Sequence, residues 1–145
     1  MQRISRSIRV AAQPDRCFDY VVDPSHALDW MHNMTRFEPE ASGPARVGSR
    51  VHASAVMLGI PLSTVVQVVD VDPPRRFVSE TSGRLRSRAT WEFAPVDFAT
   101  DVTFIGDYEI PGIILRLVGA QTVLGELQFA AEQSLANLKR RIEGP

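Results

Sequence analysis

Apolar and polar residues alternate with a period of two along most of this chain and take a helical period only in two stretches. From Arg3 to Ala11, Ile4, Ile8 and Val10 share one parity and Arg3, Ser5, Ser7 and Arg9 the other, which predicts a first strand. Arg6 breaks the pattern by falling on the apolar side. Pro14 suits the first turn of a helix, where its missing N–H would have had no partner. A helix over 14–22 follows, with Cys17, Phe18, Val21 and Val22 at helical spacing. Asp23-Pro24 ends it, because a residue before proline avoids the helical region. Ser25 is read as the cap of a second short helix running to Trp30 or Met31.

From residue 34 onward the period is two, and strands are predicted near 34–41, 49–58, 62–72, 75–82, 85–95 and 101–110. Gly43-Pro44, Gly59-Ile60-Pro61, Pro73-Pro74, Ser82-Gly83 and Pro95-Val96-Asp97 separate them. The clearest alternation sets Arg84, Arg86, Arg88, Thr90 and Glu92 against Leu85, Ser87, Ala89, Trp91 and Phe93, the signature of a half-buried antiparallel sheet. Through 49–72 apolar residues occur on both parities; Val51, Ala53, Ala55 and Met57 are taken as inward and His52 as outward. Residues 113–142 read as a long C-terminal helix with Leu117, Ala120, Leu124, Leu127, Ala131, Leu135, Leu138 and Ile142 in one stripe. Gly119 and Gly125 are its weak points, where it bends or begins late. The order is one strand, two short helices, six strands and one long helix. An α+β fold follows: a seven-stranded antiparallel sheet whose one face must be covered, with the last helix the only element long and apolar enough to cover it. Sheets of this width coil strongly, and a coiled sheet around a helix leaves room for a ligand between them.

Length and composition narrow the classes. With 145 residues, 44% hydrophobic and 23% charged, the chain is expected to form one globular domain over 1–145. A formal net charge of −1 supplies no field for nucleic acid. No run of about 18 apolar residues is present to span a membrane. Met1 to Arg6 lacks the apolar core of a secretory signal, so a cytosolic location is expected. The single Cys17 has no partner for an internal disulfide, and no zinc spacing, phosphate loop or nucleophile elbow appears, so no metal or cofactor is expected.

A set of bulky residues is expected to line a cavity instead: Phe18, Trp30, Met57, Val66 and Phe77 from the first half of the chain, and Trp91, Phe93, Phe104, Tyr108, Val118 and Phe129 from the second. Tyr108 shares the parity of Phe104 and Ile110 and so faces the helix, where its hydroxyl can orient a ligand carbonyl or enolate. His32, after Trp30 and Met31, is a candidate base at the cavity mouth. Arg6 is a candidate buried cation for Glu80, Glu109 or a ligand carboxylate, although a shifted register would give the same pattern. Arg84, Arg86 and Arg88, with Arg75 and Arg76 nearby, form a basic stripe facing solvent or an acidic partner; Asp107 and Glu109 lie opposite it.

Several local motifs carry a resemblance. Asp23-Pro24 followed by Trp30, Gly43-Pro44 leading to Val47-Gly48, Asp72-Pro73-Pro74-Arg75-Arg76-Phe77, Thr90-Trp91-Glu92-Phe93, Tyr108-Glu109-Ile110-Pro111-Gly112, and Leu135 through Leu138-Lys139 resemble the START-like superfamily, including its polyketide cyclase/dehydrase and lipid-transport families. The resemblance covers essentially the whole chain and implies the helix-grip fold, a coiled sheet wrapped around the C-terminal helix. Its motifs are mostly turn and packing residues and do not supply a reaction. Binding of a small hydrophobic or aromatic molecule, lipid or polyketide-like, is the leading expectation. A cyclase or dehydratase is the rival: the pocket would hold a poly-keto substrate folded while Tyr108, His32 or Arg6 polarised a carbonyl or moved a proton. A module using the open sheet face to bind a protein, or a second copy of itself as a homodimer, is the third reading.

Overall fold

A computed structural model describes residues 1–83 and 85–144. Seven strands are present: β1 (Gln2–Val10), β2 (Met34–Pro39), β3 (Arg50–Met57), β4 (Ile60–Asp72), β5 (Arg76–Ser82), β6 (Arg86–Val96) and β7 (Ala99–Glu109). They make one antiparallel sheet in the order β1-β7-β6-β5-β4-β3-β2, so the first strand pairs with the last. The helices are α1 (Pro14–Val22), α2 (Ala27–Trp30), α3 (Gly112–Val118) and α4 (Ala120–Glu143). This is the helix-grip fold, with the sheet open rather than closed into a barrel.

Pro14 stands in the first turn of α1, and Asp23 leaves the helix in an extended conformation before Pro24. A 3₁₀ turn over Pro24–His26 then leads into α2. Its cap is Asp23, which accepts from both the backbone N–H and the hydroxyl of Ser25, at 2.9 and 2.8 Å. Ser25 is thus the donor rather than the cap.

The C-terminal helix is two helices. Gly119, at φ 94° and ψ 143°, ends α3 and starts α4, and the two axes differ by 99°. The apolar stripe consequently begins at Val123, not at Leu117: Val123, Leu127, Ala131, Leu135, Leu138 and Ile142 are buried, while Leu117 is 80% exposed. No single helix among the described residues is long and apolar enough to cross a membrane. Only glycine adopts the Gly119 conformation without strain, so Gly119→Ala should cost about 1–3 kcal/mol, read as a lowered urea midpoint. An unchanged midpoint would mean that the bend survives without this residue.

α4 lies across the concave face of the sheet and packs chiefly along β1, while α1 closes the sheet at β6 and β7. Beneath α1, Phe18 meets Phe93 edge-on at 5.5 Å and Phe77 at 6.5 Å. Cys17 and Val10 are fully buried there, and burial pushes the Cys17 thiol up. That end of the interior is solid.

Candidate ligand cavity

Alternation places every second residue of β4 to β7 on the concave face, and the antiparallel register aligns them into rows across the sheet. One row is Phe104–Trp91–Phe77–Val71. Its rings touch: Trp91 lies 4.9 Å from Phe104, and Trp30 of α2 meets Trp91 edge-on at 5.3 Å. The next row is built of small side chains, Gly106–Ala89–Ser79, ending in Val68 on β4. A third row is Tyr108–Ser87–Thr81–Val66. Where the small row faces α4, the helix and sheet do not meet.

The space left is a cavity of ≈ 580 Å³ between sheet and α4. Its floor is the aromatic row, with Ala89 and Ser79 beside it; Leu127, Ala131 and Ser134 of α4 form the roof. The loop from Glu40 to Ser49 forms one side. That loop is anchored at its far end, where Gly48 donates to the Val68 carbonyl at 2.8 Å and Val68 donates to the Ser49 carbonyl at 2.9 Å.

Polar groups are few on the floor and roof, while the side formed by the loop and the start of β3 brings Glu40, Arg46 and Arg50. Thr81 donates to the Leu85 carbonyl at 3.0 Å and shares a hydrogen bond with Ser87 at 2.7 Å, so that pair is satisfied internally. The indole Nε1 of Trp30 is buried with no hydrogen-bond partner among the described residues. Burial pushes the Tyr108 phenol up to about 12, the charge of Asp107 adding to the effect. Near neutral pH Tyr108 is therefore a protonated donor, suited to polarising a carbonyl and unsuited to acting as a phenolate base.

Of the residues expected to line a cavity, Trp30, Val66, Phe77, Trp91, Phe104 and Tyr108 do so, and His32 does as well. Phe18 and Phe93 lie in the solid core beneath α1 instead. Met57 and Val118 pack against the core without reaching the cavity. Phe129 is 49% exposed, because it stands off the buried stripe of α4, and its ring meets His32 edge-on at 5.3 Å. His32 is fixed at the end of α2 by its backbone N–H, which donates to the Ser134 hydroxyl at 2.9 Å.

Arg6 does face inward by parity, and β1 pairs with β7 without a bulge. Being on the edge strand, its side chain passes beside α4 and pairs with Glu132 at 3.0 Å rather than with Glu80 or Glu109. It does not line the cavity. Sequence reasoning reads Gly43-Pro44 as a turn but misses that the loop from Glu40 to Ser49 lines the cavity, since a loop has no periodicity to mark which residues turn inward.

The convex face carries matched charges. Arg3 pairs with Asp107 at 2.7 Å, Arg9 with Asp101 at 2.8 Å, Arg88 with Glu80 at 2.8 Å and Arg76 with Asp70 at 3.1 Å. Asp107 and Glu109 stand in register with Arg88 and Arg86, as the alternation implied, yet Asp107 pairs with β1 and Arg88 with β5. Arg84 lies outside the described residues. Among the described residues of the stripe and its neighbours, Arg88, Arg76 and Arg75 are thus each paired with a carboxylate.

The same fold recurs in solved structures. TTHA0849 from Thermus thermophilus is 21% identical with a TM-score of 0.83, covering 97% of each chain. The Zhui aromatase/cyclase from Streptomyces sp. R1128 is 14% identical with a TM-score of 0.81, covering 98% of this chain and 93% of its own. The di-domain ARO/CYC BexL from the BE-7585A biosynthetic pathway is 15% identical with a TM-score of 0.80, covering 99% of this chain and 50% of its own. These likenesses establish the fold alone. No curated protein matches the sequence. The sequence profile described as polyketide cyclase / dehydrase and lipid transport matches residues 1–143, from the residue before β1 to the last residue of α4. A strand-to-helix match of that extent, on a chain that folds as a grip around an apolar cavity, makes this protein a member of the polyketide cyclase/dehydrase and lipid transport family.

Proposed function

We propose that this chain, as one cytosolic domain, binds a small hydrophobic molecule with aromatic character in the cavity between sheet and α4. The observation that carries the reading is the pairing of a ≈ 580 Å³ space with an aromatic floor and few polar groups on floor and roof. Ligand sites of about 300–1,000 Å³ with mostly apolar linings and a few placed donors have this make-up. Native mass spectrometry of freshly purified protein, repeated after denaturation, is the test. A stoichiometric small molecule that disappears on denaturation supports the reading, and its mass separates a lipid from an aromatic compound. If the mass is bare, Trp30 and Trp91 emission should still respond to hydrophobic aromatic probes; a silent response across a broad panel removes the proposal.

A second reading, a cyclase or dehydratase acting on a keto-rich substrate, draws support from Tyr108, a protonated donor at the cavity wall. The two aromatase/cyclase neighbours lend it context by fold. On this reading Tyr108→Phe should lower turnover by about a hundredfold or more with the fold intact. Normal turnover would remove Tyr108 from any mechanism.

A further inference from the structure

Gly106 sits in the small row of β7, between Ile4 of β1 and Ala89 of β6. Tyr108, two residues on and on the same face, leans back along the strand so that its ring lies over Gly106. A Cβ at position 106 would come within 2.6 Å of Tyr108 Cε2, 2.8 Å of its hydroxyl and 3.0 Å of Phe104 Cε2. No real Cβ tolerates the first two distances. Both rings belong to the cavity wall, and they meet above the one inner-face position of β7 that has no side chain.

We propose that Gly106 is a specificity-determining position: by leaving its own volume empty it lets the Tyr108 ring lie against the sheet, and so sets how long a ligand the cavity admits at its β7 end. The atoms that would clash are the far end of a rotatable side chain rather than backbone. A methyl group at 106 therefore lifts the ring off the sheet, and on this face the space above the sheet is the cavity. The inference rests on the reading of the cavity as a ligand site and adds which residue limits ligand size.

Titration calorimetry with a two-ring probe, 2-naphthol, and a four-ring probe, 1-hydroxypyrene, tests it in a double-mutant cycle. Gly106→Ala should weaken the four-ring probe about tenfold and the two-ring probe less than about threefold; in a Tyr108→Ala background it should change either by no more than about twofold. Equal losses for both probes, or the same loss with and without Tyr108, would overturn the proposal. Should Gly106→Ala fail to fold, recovery of folding in Gly106→Ala/Tyr108→Ala supports the same clash, and failure of both variants overturns it. If neither probe binds the wild-type protein, the cavity reading itself fails and this inference goes with it. Binding to the wild type with no change in size preference refutes this inference alone.

Discussion

Trp91→Ala should destabilise the fold by about 3–5 kcal/mol, the range for removing a large buried aromatic side chain. Trp91 is 7% exposed at the centre of the aromatic row, with Phe104 and Phe77 on the flanking strands and Trp30 edge-on above it. Aromatic pairing supplies only about 0.5–1.5 kcal/mol per contact, so most of the loss comes from the void and the apolar area returned to water. Because this ring borders an existing cavity, water can enter the new space. The loss should therefore fall below that of Phe93→Ala, where a 2% exposed ring sits in the solid core under α1. Urea denaturation of both variants checks the order. A Trp91→Ala loss under about 1 kcal/mol would mean that the aromatic row is not a packed floor.

Alkaline pH should unfold the protein partly through Tyr108. Its folded pKa is raised to about 12 from an ordinary value of 10.0. The neutral phenol is thus favoured by folding, and its contribution is fully present below pH 10. Above that, the unfolded chain loses its proton first, and the contribution falls away as pH rises through about 12. At about 1.4 kcal/mol per pKa unit, the loss amounts to roughly 2–3 kcal/mol. Stability measured at pH 9 and pH 12 in wild type and Tyr108→Phe isolates the effect, since other groups titrate in both. Tyr108→Phe should gain roughly 2–3 kcal/mol on the wild type across that interval. Parallel pH profiles would place the Tyr108 hydroxyl in water.

The same residues show which parts of the architecture are legible from sequence. Strand β6 is, because one face of an antiparallel sheet is buried and the other mostly wet, and that asymmetry is written as alternation from Arg86 to Phe93, with Thr90 the buried exception on the outer face. Strands β3 and β4 are less so: Val56, Leu58 and Ile60 are exposed near their hairpin, so apolar residues there do not mark the inside. Gly119 is visible as a weak point, but a helical stripe carries no information about direction, and the 99° turn is not written in it. The inward parity of Trp91, Phe104 and Tyr108 is equally readable. Whether an inward ring borders a cavity or fills a core is not, as Phe93 shows. It lies two residues from Trp91 on the same face, and only the placement of α1 above it decides the difference.

The alternation has a consequence for how such a protein diversifies. Side-chain bonds such as Ser7 with Thr103 or Arg9 with Asp101 join strands on the outer face, while Ala89 and Gly106 of the small inner row carry no polar side chain. A single codon change in the small row can therefore reshape the interior while the girders outside stay bolted. New binding preferences are reachable by short mutational paths that leave the outer scaffold of the sheet in place.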